Sequence, residues 1–327
     1  MPGPNARIAS GTRDVLPEER AELRRIETAL LASFLNAGYG EISTPAVEYE
    51  ETFRRAARGE AAAAYRVLGE RGEELALRSD MTVPIARVAG TRYAEADLPL
   101  RFCYIAPAYR AVTPHRGQAR EFLQAGVELI GADAVPGCAE SLTLLCRALE
   151  SAGLKHFKIG VGDAALYPAL LDAAAVGGEA REAILVELDG RDFVGIDTIV
   201  RSLGLPDRQA ALLSEVPRMR GAGLLDGAFE PPLDGAVSGL RSLLSELDSD
   251  IAGRVFPDLG RFPRMSYYSG LVFEAYDPEL GEPIASGGFY SDLLGKFGRP
   301  AGGVGFAIVV DLLHAALAGE ERGETGR

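Results

Sequence analysis

The sequence predicts an α+β chain: antiparallel strands flanked by helices, with a helical stretch inserted between two groups of strands. Three observations predict it. Residues 100–131 hold two β-rich apolar runs joined by a loop, residues 164–250 turn to Ala/Leu-rich helical periodicity, and strand patterns resume from 265 and run into a closing helix. No G-x-G-x-x-G occupies a strand–turn–helix context and no Walker pattern appears, so a doubly wound nucleotide fold is disfavoured.

Each element follows from local chemistry. Between Pro17 and Gly38, acids Glu18 and Glu19 suit a helix N-terminus, Leu23, Ile26, Leu30 and Phe34 recur at helical spacing, and Gly38 closes the helix. Residues 39–53 alternate as a strand interrupted by Pro45, which favours an edge or interface position. Residues 66–80 read as a hairpin around Arg71-Gly72, and "MTVPIARVAG" as a short helix with Pro84 in its first turn. The runs 100–112 and 121–131 are strands. Leu142, Leu145, Cys146 and Leu149 share one face of a helix over 137–152, and 155–163 alternates as another strand. Within 164–250, Gly/Pro breaks fall at 177–178, 204–206, 217–223 and 231–235. Residues 265–276, 282–290 and 302–317 read as strand, strand, and strand into helix. The expected division is therefore a core of 1–163 and 251–319, a helical insertion of 164–250, and a frayed polar tail of 320–327.

Composition narrows the function classes. With 47% hydrophobic residues the chain can bury a sizeable core, and no apolar run approaches the ~20 residues that a membrane helix needs. The N-terminus lacks an apolar signal core, which points to a cytoplasmic protein. Cys103, Cys138 and Cys146 form no C-x-x-C pair and read as reduced core thiols. Only three histidines occur (His115, His156 and His314), none beside a cysteine, so neither a metal nor another cofactor is expected. A net charge of −13 argues against general affinity for nucleic acid.

Three separated pieces carry the chemistry: "LALRSDMTVPIARV" with Arg78, Asp80 and Thr82; the 101–131 hairpin with Arg110, Gln124 and Glu128; and "YYSGLVFE" with Tyr267 and Tyr268, followed by "SGGFYSDLLGKFG" and "GGVGFAIVVDLL". Asp80 stands where it can cap the next helix, bind a ligand amine, or do both. Gln124 and Glu128 are four apart in a strand and face one side. A Glu inside "AGVELIG" is expensive to bury unpaired, which favours a polar pocket over core packing. On a continuous strand through 265–276, Tyr267 and Tyr268 would point to opposite faces.

In this order and spacing the motifs resemble the core of a class II aminoacyl-tRNA synthetase, specifically histidyl-tRNA synthetase, from "GTRDVLP" at 11–17 to about residue 317. The resemblance implies a dimeric, six- or seven-stranded antiparallel sheet flanked by helices, with the strand around Pro45 at the dimer contact. It implies further that Asp80 and Thr82 hold a substrate amino group and that Arg110 contacts a carboxylate or α-phosphate. Gln124 and Glu128 would hold the amino acid and read its imidazole, with Tyr268 at the ring and Tyr267 beside it. An acid and a phenol suit a ring that is both donor and acceptor at neutral pH.

The departures fall on one function. Where the synthetases grip ATP, this sequence has Val112 for a glutamate, Thr113, Pro263 and Leu312 for arginines, and Phe289 for the arginine of a glycine-rich loop. Each lost charge-assisted contact is worth roughly 1.5–3 kcal/mol. The synthetases also continue into an anticodon-binding domain that has no counterpart here, so no tRNA partner is expected. A synthetase-like dimer with a histidine pocket but no ATP grip resembles the regulatory subunits of ATP phosphoribosyltransferase. That resemblance implies no catalysis by this chain alone, a short-form catalytic partner in a hetero-octamer, and feedback inhibition by histidine in the first step of histidine biosynthesis. An active histidyl-tRNA synthetase-like ligase, or a synthetase-like protein that loads or senses another amino acid, is the alternative. Incubation with histidine, ATP and labelled pyrophosphate discriminates the ligase. The expected outcome is no exchange above background, and measurable exchange would restore that reading.

Overall fold

The computed structural model describes residues 8–56, 65–111, 119–262 and 265–325. Helix α1 (Pro17–Asn36) starts with Pro at its N-terminal turn and Glu18 and Glu19 at the positive end of the dipole. Its buried stripe is the expected Leu23, Ile26, Leu30 and Phe34, joined by Glu27, and Gly38 leaves the helix at a φ of +85°.

Strands β1 (Gly40–Glu41) and β2 (Val47–Tyr49) flank Pro45. The strand expected to reach residue 53 stops at Tyr49, because Glu50 opens helix α2 (Glu50–Ala56). Two i,i+4 pairs run from the acidic first turn to the basic last turn, Glu50 with Arg54 and Glu51 with Arg55. That charge order favours a helix. Strands β3 (Arg66–Leu68) and β4 (Glu74–Leu77) form the expected hairpin and, with β2, a small sheet in the order β2-β4-β3. Gly72 takes a φ of +85° in its turn, and α3 (Thr82–Thr91) follows with Pro84 near its start.

The large sheet contains β5 (Leu100–Tyr109), β6 (Glu121–Ile130), β7 (Lys158–Asp163), β8 (Val255–Pro257), β9 (Leu271–Tyr276), β10 (Ala285–Tyr290) and β11 (Gly303–Val309). Its order is β1-β5-β6-β11-β10-β9-β7-β8. The six middle strands are antiparallel, as the resemblance implies. The total is eight among the described residues because a short parallel strand joins each edge, β1 beside β5 and β8 beside β7.

The two faces of this sheet differ in kind. One presents Val127, Leu129, Phe306, Ile308, Phe273, Ala275 and Ile159, all buried in the main apolar cluster with residues of α1, of α4 (Ala134–Ser151) and of α11 (Val310–Thr325). The other runs across the strands as Glu128–Gly305–Gly288–Val272–Gly162 and, one rung along, as Gly126–Ala307–Ser286–Glu274–Gly160. Small residues leave that face concave, and α3 covers only part of it through a second apolar cluster containing Met81, Ile85, Tyr104 and Tyr290. The concavity is therefore written into the glycine positions.

Between β7 and β8 the chain is helical: α5 (Leu166–Ala173), α6 (Gly178–Asp189), α7 (Phe193–Ser202), α8 (Asp207–Glu215), α9 (Leu233–Ser245) and α10 (Ser249–Ala252), with two short 3-10 turns. Parallel neighbours such as β7 and β8 require a crossover, and this helical run supplies it. Its Ile184, Leu188, Ile196 and Leu213 join the main apolar cluster rather than closing a core of their own.

Two further expectations need correction. The strand expected from Met265 starts only at Leu271, and Tyr267 and Tyr268 lie in the turn before it. The tail expected to fray from 320 is helical as far as Thr325. Glu320 explains this: its carboxylate accepts the backbone N–H groups of Lys155 and His156, tying the helix to the start of β7.

A methyl group at Gly126 would stand 2.2 Å from the Phe306 carbonyl oxygen and 2.5 Å from the Tyr104 hydroxyl. A paired strand cannot retreat from it, so Gly126→Ala is expected to cost about 1–3 kcal/mol in urea unfolding.

Candidate functional site

A cavity of about 450 Å³ opens on the small-residue face of the large sheet. Its wall includes Arg110 and Phe122 from the β5–β6 hairpin, Gln124 on β6, Tyr268 from the turn before β9, and Arg261 with Glu274 on the opposite side. The Arg110 guanidinium lies 4.1 Å from the centre of the Phe122 ring, which fixes a cation flat against the wall.

Gln124 is 7% exposed, and its Oε1 is buried without a hydrogen-bond partner among the described residues. A buried acceptor left without a donor is costly. On a cavity wall it is therefore a place for a ligand N–H. Four residues along the same face, Glu128 is 1% exposed. Its Oε1 accepts the Thr82 hydroxyl at 2.6 Å and its Oε2 the Tyr290 hydroxyl at 2.7 Å. Burial pushes this carboxyl up to about 7; the two hydroxyl bonds oppose the shift and Asp80 adds to it. Gly305 makes room for the group, since a Cβ there would lie 2.2 Å from Glu128 Oε2.

Asp80 acts locally. Its Oδ1 accepts the Val83 N–H at 2.9 Å in the first turn of α3, and its Oδ2 the Ser79 hydroxyl at 3.2 Å, while burial raises its carboxyl. The capping role open to Asp80 is thus filled, and the Thr82 hydroxyl donates to Glu128. Tyr267 and Tyr268 do not point apart as a strand would place them. In the turn their rings are 4.9 Å apart, with Tyr268 on the cavity wall and Tyr267 packed edge-on against Tyr290. Burial followed by Glu128 and Asp80 holds the Tyr268 phenol protonated.

Of the departures, Val112, Thr113 and Pro263 lie outside the described residues, as does His115. Leu312 lines the cavity at the start of α11. Phe289 packs against Gly270 and Gly302.

Three residues of the site escaped the sequence. Tyr290 could have been found by counting from Gly288, since two residues along a strand return to the same face. Arg261 and Glu274 are harder. Arg261 lies along β7 because Gly160 and Gly162 have no side chains: a Cβ on Gly162 would stand 2.5 Å from that of Arg261. The G-x-G of "KIGVGD" was the available signal. Arg261 Nε and Nη2 both donate to Asp258 Oδ2 at 3.0 Å, and Nη1 donates to Glu274. Burial lowers its guanidinium to about 10, which leaves it charged at neutral pH. Among the described residues no group of three or more His, Cys, Asp or Glu side chains is arranged to hold a metal ion.

The profile of the family described as Histidyl-tRNA synthetase matches residues 11–313. Among curated relatives, the ATP phosphoribosyltransferase regulatory subunit of Symbiobacterium thermophilum is 36% identical over 98% of this chain and 82% of its own length. Among solved structures, an ATP phosphoribosyltransferase regulatory subunit/histidyl-tRNA synthetase from Bacillus halodurans superposes with a TM-score of 0.86 at 34% identity, covering 96% of this chain and 83% of that one. A histidine–tRNA ligase subunit from Alicyclobacillus acidocaldarius gives 0.83 at 33% identity, covering 97% and 98%.

The raised Glu128 carboxyl has a definite pH signature. The folded chain keeps this proton up to about 7, whereas the unfolded chain releases it near the ordinary 4.5. Between those values the folded state binds more protons, so this group's contribution to stability falls as pH rises. In urea titrations across that window, Glu128→Gln is expected to flatten the decline relative to the parent chain. A decline of equal slope in both would show that Glu128 titrates normally.

Proposed function

The chain belongs to the family of ATP phosphoribosyltransferase regulatory subunits, and from that membership we propose that it is a non-catalytic histidine sensor. It binds free histidine in the cavity beside Gln124 and passes the signal to a short-form catalytic subunit. The assembly is a hetero-octamer built on homodimers of this chain, acting in the cytoplasm at the first step of histidine biosynthesis. Histidine then inhibits the pathway that makes it.

The observation that carries this reading is the Oε1 of Gln124, buried and without a partner among the described residues, on a cavity whose same face holds Glu128. The ligand's ammonium donates to Gln124, and its carboxylate meets Arg110 on the wall. Tyr268 and Glu128 read the ring. A carboxyl near 7 matches an imidazole, whose ordinary value is about 6.5: one proton shared between them satisfies both partners. Each Glu128 oxygen already accepts one hydroxyl and has a further lone pair for the ring. Thr82 orients that carboxylate, and Asp80 holds Thr82 at the start of α3.

The absence of catalysis rests on charged groups that this sequence lacks. Leu312 presents an aliphatic side chain to the cavity where the related ligases carry an arginine, and Val112, Thr113, Pro263 and Phe289 replace other charged positions. Such a site retains an amino acid without stabilising charge on a phosphate. Regulation then reduces to a coupling free energy, typically ~1–3 kcal/mol, between histidine and the arrangement of the complex.

Histidine at one hundred times its dissociation constant is expected to stabilise the chain by about 2.7 kcal/mol, visible as a raised melting temperature. Gln124→Ala is expected to abolish most of that shift. A parent chain whose melting temperature ignores histidine, or a Gln124→Ala chain that responds equally, would sink the proposal.

A further inference from the structure

The cavity wall opposite Gln124 is also where the helical crossover meets the sheet through charge. Arg191 occupies the turn between α6 and α7 at a φ of +56°, a left-handed conformation that costs free energy for any residue with a side chain. From there its Nη2 reaches the Tyr276 hydroxyl at 2.6 Å and Glu274 Oε2 at 3.4 Å. Arg261 Nη1 and the Tyr276 hydroxyl donate to the same Oε2. Three donors therefore compete for one carboxylate oxygen, which has two lone pairs. The Tyr276 ring lies close to both guanidiniums, 4.8 Å from Arg261 and 5.5 Å from Arg191.

We infer that Arg191 is a clasp through which occupancy of the cavity is reported to helices α6 and α7. The inference rests on the histidine reading above. Arg261 and Glu274 both line the cavity, so they meet a ligand directly, whereas Arg191 reaches it only through Glu274 and Tyr276. Among the three donors Arg191 has the longest contact, and its side chain is 45% exposed, so it is the least tightly held. A ligand carboxylate that holds Arg110 with one oxygen and engages Arg261 with the other draws that guanidinium off Glu274. The Glu274 charge then falls to Arg191 and Tyr276, and the clasp tightens. The turn it closes is already ordered locally, with Asp192 Oδ1 accepting the Gly195 N–H at the start of α7. Linkage makes the effect reciprocal: loosening the clasp must weaken ligand binding, although Arg191 is a positioning residue that need not touch the ligand.

Amide hydrogen exchange on the full chain, with and without saturating histidine, tests this together with calorimetric titration. In the parent chain histidine is expected to slow exchange several-fold across residues 189–196. In Arg191→Ala that protection should vanish and histidine should bind roughly 5-fold more weakly, the lower end of common coupling. Arg191→Lys keeps the charge without the planar fork and should restore part of both effects. If Arg191→Ala loses its fold by circular dichroism, Arg191→Lys carries the same test. Binding that leaves exchange at 189–196 unchanged overturns the clasp, as does an Arg191→Ala chain with parental affinity. A parent chain that binds no histidine overturns the sensor reading itself, and the clasp with it.

Discussion

A carboxyl group at the centre of a sheet face, 1% exposed, is the constraint around which this structure is arranged. Burying an ionisable group without partners is prohibitive. Glu128 is kept by two hydroxyls delivered from opposite sides, Thr82 from the first turn of α3 and Tyr290 from the end of β10. Those two bonds dictate where α3 lies on the sheet, because the Thr82 hydroxyl in its first turn must come within 2.6 Å of the Glu128 carboxylate. They also explain Gly305, directly opposite on β11, where any side chain would collide with the carboxylate. The helix cap at Asp80 is the next link, since it fixes the turn that presents Thr82.

The same economy of side chains produces the cavity. Glycine or alanine at 126, 288, 305 and 307 thins the middle of the sheet, so that the face opposite the apolar core is hollow. At one side of the hollow the hairpin lays Arg110 on Phe122; at the other, Gly160 and Gly162 admit Arg261. The two cations face each other across a space with Gln124 and Tyr268 in its wall. On the proposed reading, the carboxylate, ammonium and side chain of an amino acid each meet a group of suitable chemistry here. The helical crossover is not a bystander. It shares the main apolar cluster and reaches the cavity wall by way of Arg191.

Much of the fold was legible in the sequence because it is periodic. The stripe of α1, the hairpin of β5 and β6, the face of α4 and the β3–β4 turn at Gly72 follow from spacings of three to four or of two. Periodicity failed where the run was short or where charge decided. Glu50 to Arg55 hides a helix in an alternating pattern because its stabilising pairs are i,i+4 ion pairs rather than apolar contacts. Tyr267 and Tyr268 belong to a turn although their neighbours read as strand, since β9 finds its pairing partners only from Leu271 onward. The two parallel edge strands carry no local mark at all.

The sequence by itself determined the class of fold and the face of β6 that carries Gln124 and Glu128. Each is a property of residue type and of spacing within one element, and the geometry of a helix or strand converts spacing into direction. Only the tertiary structure decided that Thr82 holds Glu128, that Tyr290 supplies the second hydroxyl, and that Arg261 lies on two glycines of a strand about a hundred residues earlier. Hydrogen bonds and ion pairs between distant elements depend on angstrom-scale positions that accumulate over the whole packed chain. No local pattern in the sequence carries that information.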